Sequence, residues 1–128
     1  MKKVLVIGAS PNAWRYSYKA VRMLQDYNYE VLALGKTSDR IGKTFIHTKR
    51  EPWKDVHTIT LYLNAQNSSE MKDYILALAP KRLIINPGAE NPQLEEAARK
   101  EGIEVIRACT LVMLSTGAFE PKESVESM

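Results

Sequence analysis

Two short loops of this chain combine glycine with small polar residues in a way suited to holding an anion. The first, Gly8-Ala9-Ser10-Pro11-Asn12, follows the apolar run Val4-Leu5-Val6-Ile7 and leads to Arg15 and Ser17. Glycine lets the backbone approach a phosphate, and a helix starting next would present N–H groups that have no intrahelical acceptor. The second loop, Asn86-Pro87-Gly88-Ala89, follows another apolar run that ends at Ile85. A third candidate is Gly35-Lys36-Thr37, where a small residue precedes a cation. Catalytic patterns are scarcer. His47 and His57 have no Asp or Glu placed to orient either one at triad or metal-ligand spacing, so both read as surface or packing histidines. Gly42-Lys43-Thr44 lacks the upstream glycine of a Walker motif, and no G-x-S-x-G elbow occurs. The single cysteine, Cys109, excludes an internal disulfide framework and reads as a small buried hydrophobe.

The loops need elements to position them. Strands are expected at Lys3 to Ile7, Glu30 to Leu34, Thr58 to Leu63, Arg82 to Ile85 and Glu104 to Ile106. Between the first two, Tyr16, Ser17, Ala20, Val21 and Leu24 form an apolar stripe at helical spacing, and Met71, Ile75 and Leu78 form another. Asn91 as N-cap, Pro92 in the first helical position, Leu94, Ala97 and Ala98 facing the core and Gly102 at the end mark a further helix. Helix and strand therefore alternate, which predicts an α/β fold: a doubly wound, Rossmann-like, parallel five-stranded sheet with helices on both faces. Ser38 to Asp55 reads as a loop with a minor strand at Thr44-Phe45-Ile46. Leu111 to Leu114 reads as a short helix that caps the sheet or, if exposed, supplies a homodimer patch. In such folds ligands sit beyond the carboxyl ends of the strands, where the three loops fall.

With 128 residues, 45% of them hydrophobic, the chain suits one domain, taken as residues 1–119, followed by a frayed or disordered tail at 120–128. The initial apolar stretch is too short for a signal peptide, no run is long enough to cross a membrane, and one cysteine suits a reducing compartment; a cytoplasmic protein is expected. A net charge of +3 suits an anionic small ligand or a nucleic acid equally well and does not choose between them. Tyr16, Tyr18, Tyr27 and Tyr29 beside Lys19 and Arg22 resemble a single-strand binding surface, but Asp26 and Glu30 interrupt the charge and Tyr16 joins the apolar stripe, so packing explains the pattern and no nucleic acid is expected.

The first loop fits a dinucleotide fingerprint poorly, since Ser10 and Ala13 stand where G-x-G-x-x-G needs its second and third glycines. The second strand ends in Leu34-Gly35-Lys36 without the acidic residue that would hold ribose hydroxyls, and Lys36, Arg40 and Lys43 follow it. Such a site suits a phosphorylated ribose by charge, which both NADP and coenzyme A carry.

The opening Val6-Ile7-Gly8-Ala9-Ser10-Pro11, with Arg15 and Ser17-Tyr18, resembles that of the stand-alone CoA-binding domain family, itself similar to the N-terminal domain of the succinyl-CoA synthetase alpha subunit. The resemblance continues through Leu83 to Asn91 and through Gly102 to Ile106 with the Ala108-Cys109-Thr110 turn, and so covers about residues 1 to 119. It implies that Gly8, Ser10, Asn12 and Ala13 line a diphosphate site, with Arg15 as charge partner, Lys36 near the adenosine and Asn86-Pro87-Gly88 beside the pantetheine arm or nucleotide. Ala9, Ser17 and Gly35 complete the set. Gly35-Lys36 departs from the pattern, since family members often have Asn-Pro there.

The synthetase's chemistry needs a second domain that this chain is too short to include. The leading expectation is a non-catalytic module binding coenzyme A or an acyl-CoA. An NADP-dependent oxidoreductase-like domain, or an interaction protein with a vestigial nucleotide pocket, are the alternatives.

Overall fold

A computed structural model describes residues 2–120. The least polar run becomes the middle of the sheet: in β1 (Lys3–Ala9), Val4, Leu5 and Val6 are fully buried, as a parallel strand covered on both faces requires. β2 (Glu30–Gly35) pairs with it on one side and β5 (Val56–Leu61) on the other, both parallel. Beyond β5 the sheet continues in parallel through β6 (Arg82–Ile85) and β7 (Glu104–Arg107).

Helices cover both faces, as the alternation predicts. On one face, α1 (Tyr16–Asp26) and α5 (Thr110–Thr116) bring Val21, Leu24, Met113 and Leu114 onto Val4, Val6 and Ile84. On the other, α3 (Lys72–Leu78) and α4 (Pro92–Lys100) bring Ile75, Leu94 and Ala98 onto Leu5, Ile59, Leu61 and Leu83, with the short α2 (Ala65–Ser69) leading in. The start of α4 follows its sequence signals: the Asn91 side chain accepts from Leu94 N–H at 3.2 Å, and Pro92 takes the first turn. The Leu111-to-Leu114 segment covers the sheet through Met113 and Leu114, while Val112 stays exposed.

The strand count differs from expectation. The sheet has seven strands in the order β3-β4-β2-β1-β5-β6-β7 and is mostly rather than wholly parallel. The added pair, β3 (Asp39–Ile41) and β4 (Thr44–His47), is an antiparallel hairpin inside the stretch expected to be a loop with one minor strand. Its strands are too short to show alternation, yet Ile41 and Ile46 are fully buried. The Gln25 side chain of α1 ties the hairpin down by donating to the Ile41 carbonyl and the Thr44 hydroxyl, both at 2.7 Å. β4 then pairs in parallel with β2 through Ala33 with Ile46 and Leu34 with His47.

The α1 stripe also needs correction. It runs through Ser17, Ala20, Val21 and Leu24, and Tyr16, at the first helical position, is 67% exposed. Packing accounts for Tyr29, which is buried, and for the half-buried Tyr18, but not for Tyr16 or Tyr27. The tail expected at 120–128 lies outside the described residues except for Glu120, whose carboxylate accepts from the Tyr29 hydroxyl.

Candidate functional site

From β1 the chain moves outward through α1 to β2, and after the hairpin it returns across β1 to β5. Strand order thus reverses between β1 and β5, which opens a crevice at their carboxyl ends. An open cleft of about 630 Å³ lies there, walled by the β1–α1 loop, the ends of β2 and β5, the segment after β4 and the region around α2.

Glycine geometry shapes the cleft floor. Gly8 has φ +93°, and a Cβ on it would lie 3.1 Å from the Tyr62 backbone and 3.2 Å from Leu63 Cδ2. A Cβ on Gly35 would lie 2.1 Å from the Ala9 carbonyl oxygen, so β2 can end beneath the first loop only as glycine. The loop is held by its own polar groups: Ser10 Oγ accepts from Asn12 N–H at 3.1 Å, Asn12 Oδ1 from Trp14 N–H at 3.0 Å, and Asn12 O from Arg15 N–H at 3.0 Å. This turn delivers the chain into α1 with Arg15 as N-cap residue and no side chain capping the helix. The first-turn N–H groups of an eleven-residue helix, with its partial positive charge, therefore border the cleft.

Cations stand around that end. Arg15, Lys36 and Arg50 line the cleft, all three exposed, and among the described residues none forms an ion pair. Arg40 and Lys43, grouped with Lys36 in the sequence reading, do not line it: they belong to the hairpin, and the Arg40 guanidinium sits 5.9 Å from the Phe45 ring centre. Thr48 and Arg50 reach the wall because β4 runs parallel to β2, so the residues after His47 emerge at the carboxyl edge. Adding the minor strand to the outer edge of β2 was the signal that would have found them.

On the β5 side, Tyr62 and Leu63 form the wall with Asn67, Glu70 and Met71. The Tyr62 hydroxyl is buried beside the Thr60 and Thr110 hydroxyls, which pair with each other at 2.7 Å, and makes no well-formed hydrogen bond of its own among the described residues. Burial pushes its pKa up to about 12, so it stays a neutral hydroxyl.

The cleft gathers Gly8, Ala9, Ser10, Arg15, Ser17, Gly35, Lys36 and Pro87 from the sequence-predicted set. Asn12, Ala13, Asn86 and Gly88 lie off its wall. Asn86 is 1% exposed and bridges three elements: Nδ2 donates to Thr60 Oγ1 at 2.7 Å and to the Leu61 carbonyl at 3.0 Å, and Oδ1 accepts from Thr110 N–H at 2.9 Å. Gly88 N–H donates to the Glu90 carboxylate at 3.1 Å. Cys109, half-buried, is the N-cap residue of α5 and is not on the cleft wall. The His47 ring packs edge-on between Phe45 and Trp53 at 4.9 and 5.2 Å. His57 Nδ1 lies 2.8 Å from Thr58 Oγ1, and burial, then the positive charge of Arg82, lowers its pKa.

A glycine-floored loop feeding an uncapped helix at the switch point of a doubly wound sheet places the chain among the Rossmann-like α/β domains. The family described as CoA binding domain matches residues 2–115, and the chain belongs to it. Among curated proteins none matches the sequence. Among solved structures, one described as an uncharacterized protein is 44% identical over 93% of this chain and 98% of its own, with a TM-score of 0.90. A Thermus thermophilus protein, cell-free ID.343, shares the fold at 22% identity and a TM-score of 0.77, over 92% of this chain and 90% of its own. The dinucleotide forming acetyl-coenzyme A synthetase 1 of Ca. Korarchaeum cryptofilum shares it at 20% identity and 0.66, where 81% of this chain matches 25% of that one.

Proposed function

We propose that this domain holds coenzyme A, or an acyl-CoA, with the diphosphate against the Gly8–Ser10 loop and the first turn of α1, and does not act on it. The carrying observation is the uncapped N-terminus of α1 beside a loop whose floor admits no side chain, flanked by the exposed guanidinium of Arg15. A diphosphate fits there: backbone N–H groups and helix polarity favour negative charge, and Arg15 adds a charge-assisted donor. Family membership and the resemblance to an acetyl-coenzyme A synthetase support the choice of ligand. A holding role is supported by the cleft lining, where among the described residues Glu70 is the one carboxylate and no histidine or cysteine takes part.

Thermal-shift measurements with coenzyme A, acetyl-CoA, NADPH and ATP test the reading. A ligand at a hundred times its dissociation constant stabilises by about 2.7 kcal/mol. Coenzyme A and acetyl-CoA are expected to raise Tm, while a rise with NADPH alone overturns the proposal in favour of a reductase-like domain. Arg15→Ala is expected to weaken coenzyme A about tenfold, the size of one lost charge-assisted hydrogen bond, without lowering Tm, because Arg15 is exposed and unpaired among the described residues.

A further inference from the structure

We infer that the β3–β4 hairpin builds a second, separate anion site in the cleft, in which Arg50 and Lys36 together read a phosphate monoester on the ligand's ribose. The inference rests on the coenzyme A reading and names what sets the site's specificity. Three observations carry it. β2 ends at Gly35-Lys36 without a carboxylate, so ribose hydroxyls lack the acceptor that an unphosphorylated ribose requires in this type of fold. β4 pairs in parallel with β2, Leu34 opposite His47, which carries Thr48 and Arg50 to the same carboxyl edge as Lys36 and Thr37. Neither cation is in an ion pair among the described residues, so both charges are available to a ligand.

The chemistry divides the cleft into two parts. Near α1 an anion meets backbone N–H groups and Arg15; near the β2–β4 edge it meets two long cations and two threonine hydroxyls. The planar guanidinium of Arg50 can donate two parallel hydrogen bonds to one phosphate, while Lys36 acts as a point charge. The Thr37 and Thr48 hydroxyls supply shorter donors to the same group. Such a set recognises a terminal phosphate, whose oxygens project on several sides, better than an internal diester.

Titration calorimetry at fixed ionic strength with coenzyme A and with dephospho-CoA, which lacks only the ribose phosphate, separates this inference from the reading beneath it. The unaltered protein is expected to bind coenzyme A at least tenfold more tightly than dephospho-CoA. Arg50→Ala should weaken coenzyme A about tenfold and leave dephospho-CoA unchanged, so that the preference collapses; Arg50→Lys should retain part of it. Arg50 is exposed and outside every strand and helix, so an unchanged Tm is expected for both variants. Equal affinity of the unaltered protein for the two ligands, or equal weakening of both by Arg50→Ala, overturns the ribose-phosphate assignment while coenzyme A binding stands. Absence of binding by either ligand overturns the coenzyme A reading and this inference with it.

Discussion

The loops after β1 and β6 have similar sequence signals, glycine and asparagine at the carboxyl end of a buried strand, yet the structure uses them in opposite ways. In Gly8–Asn12 the internal hydrogen bonds close the turn and leave the first N–H groups of α1 without a side-chain cap, facing the cleft. In Asn86–Gly88 the polar groups already have partners within the protein, Asn86 in the interior and Gly88 at the surface. Asn86 joins β5 and β6 to the start of α5, and Gly88 N–H is held by Glu90. On the function proposed above, what separates the loop that would hold the ligand from the structural one is not residue type but whether the protein itself already supplies each polar group with a partner.

The comparison is most exposed to Asn86→Leu. Leucine keeps the branched shape at a larger volume but removes three hydrogen bonds, stranding Thr110 N–H and taking partners from Thr60 Oγ1 and the Leu61 carbonyl in the buried interior. The expected loss is about 3 kcal/mol of folding stability by chemical denaturation, with coenzyme A affinity of the folded protein unchanged. A variant that keeps its stability but loses the ligand would make the second loop a binding loop and erase the contrast.

A matched pair of glycine substitutions sharpens it at smaller scale. Gly8 and Gly88 have nearly the same backbone, φ +93° and +92°, but a Cβ on Gly8 meets Tyr62 and Leu63 whereas a Cβ on Gly88 meets nothing within 4 Å. Gly8→Ala is expected to cost about 2 kcal/mol and to weaken coenzyme A, because strain and crowding both act on the loop that borders the helix end. Gly88→Ala carries the strain alone, about 1 kcal/mol, and leaves affinity intact. Equal losses of affinity in the two variants would show that backbone conformation, not position, governs the site.

Much of this was legible in the sequence. Helices on both faces followed from the alternation of apolar periods, and the start of α4 from Asn91 and Pro92 at the positions where cap chemistry puts them. The hairpin was not legible as two strands, because three- and four-residue strands show no period; they are held by Ile41, Ile46 and a glutamine from α1, contacts that no local pattern encodes. Arg50 was hidden for the same reason, since only the pairing of β4 with β2 brings it to the cleft. Tyr16 misled in the other direction: its spacing matches the stripe, but it stands at the first helical position and is exposed. The partners that hold Asn86 off the cleft wall are equally invisible in sequence, which shows its type and not its contacts.

The structural character of the second loop extends to Glu95, and acid tests it with the smallest expected effect. Glu95 is almost fully buried; its carboxylate accepts from Asn91 N–H at 2.9 Å and from Arg107 Nε at 2.8 Å, tying the start of α4 to the end of β7. The Arg107 hydrogen bond, helped by that from Asn91 and by the positive charges nearby, lowers its pKa below the usual 4.5, against the opposing pull of burial. A depressed folded-state value means that this stabilisation is complete above about 4.5, the unfolded value, and drains away as pH falls through the lower folded value. Because Arg107 is itself half exposed, solvent screens part of the interaction and the loss should be modest. Glu95→Gln should be less stable at neutral pH and show a flatter decline in Tm between about pH 5 and pH 3, from just above the unfolded carboxylate value to about 1.5 units below it. Coenzyme A affinity, measured at neutral pH, should not change in that variant; a fall there would mean that the second loop transmits its anchoring to the cleft, and that the division between the loops is one of degree.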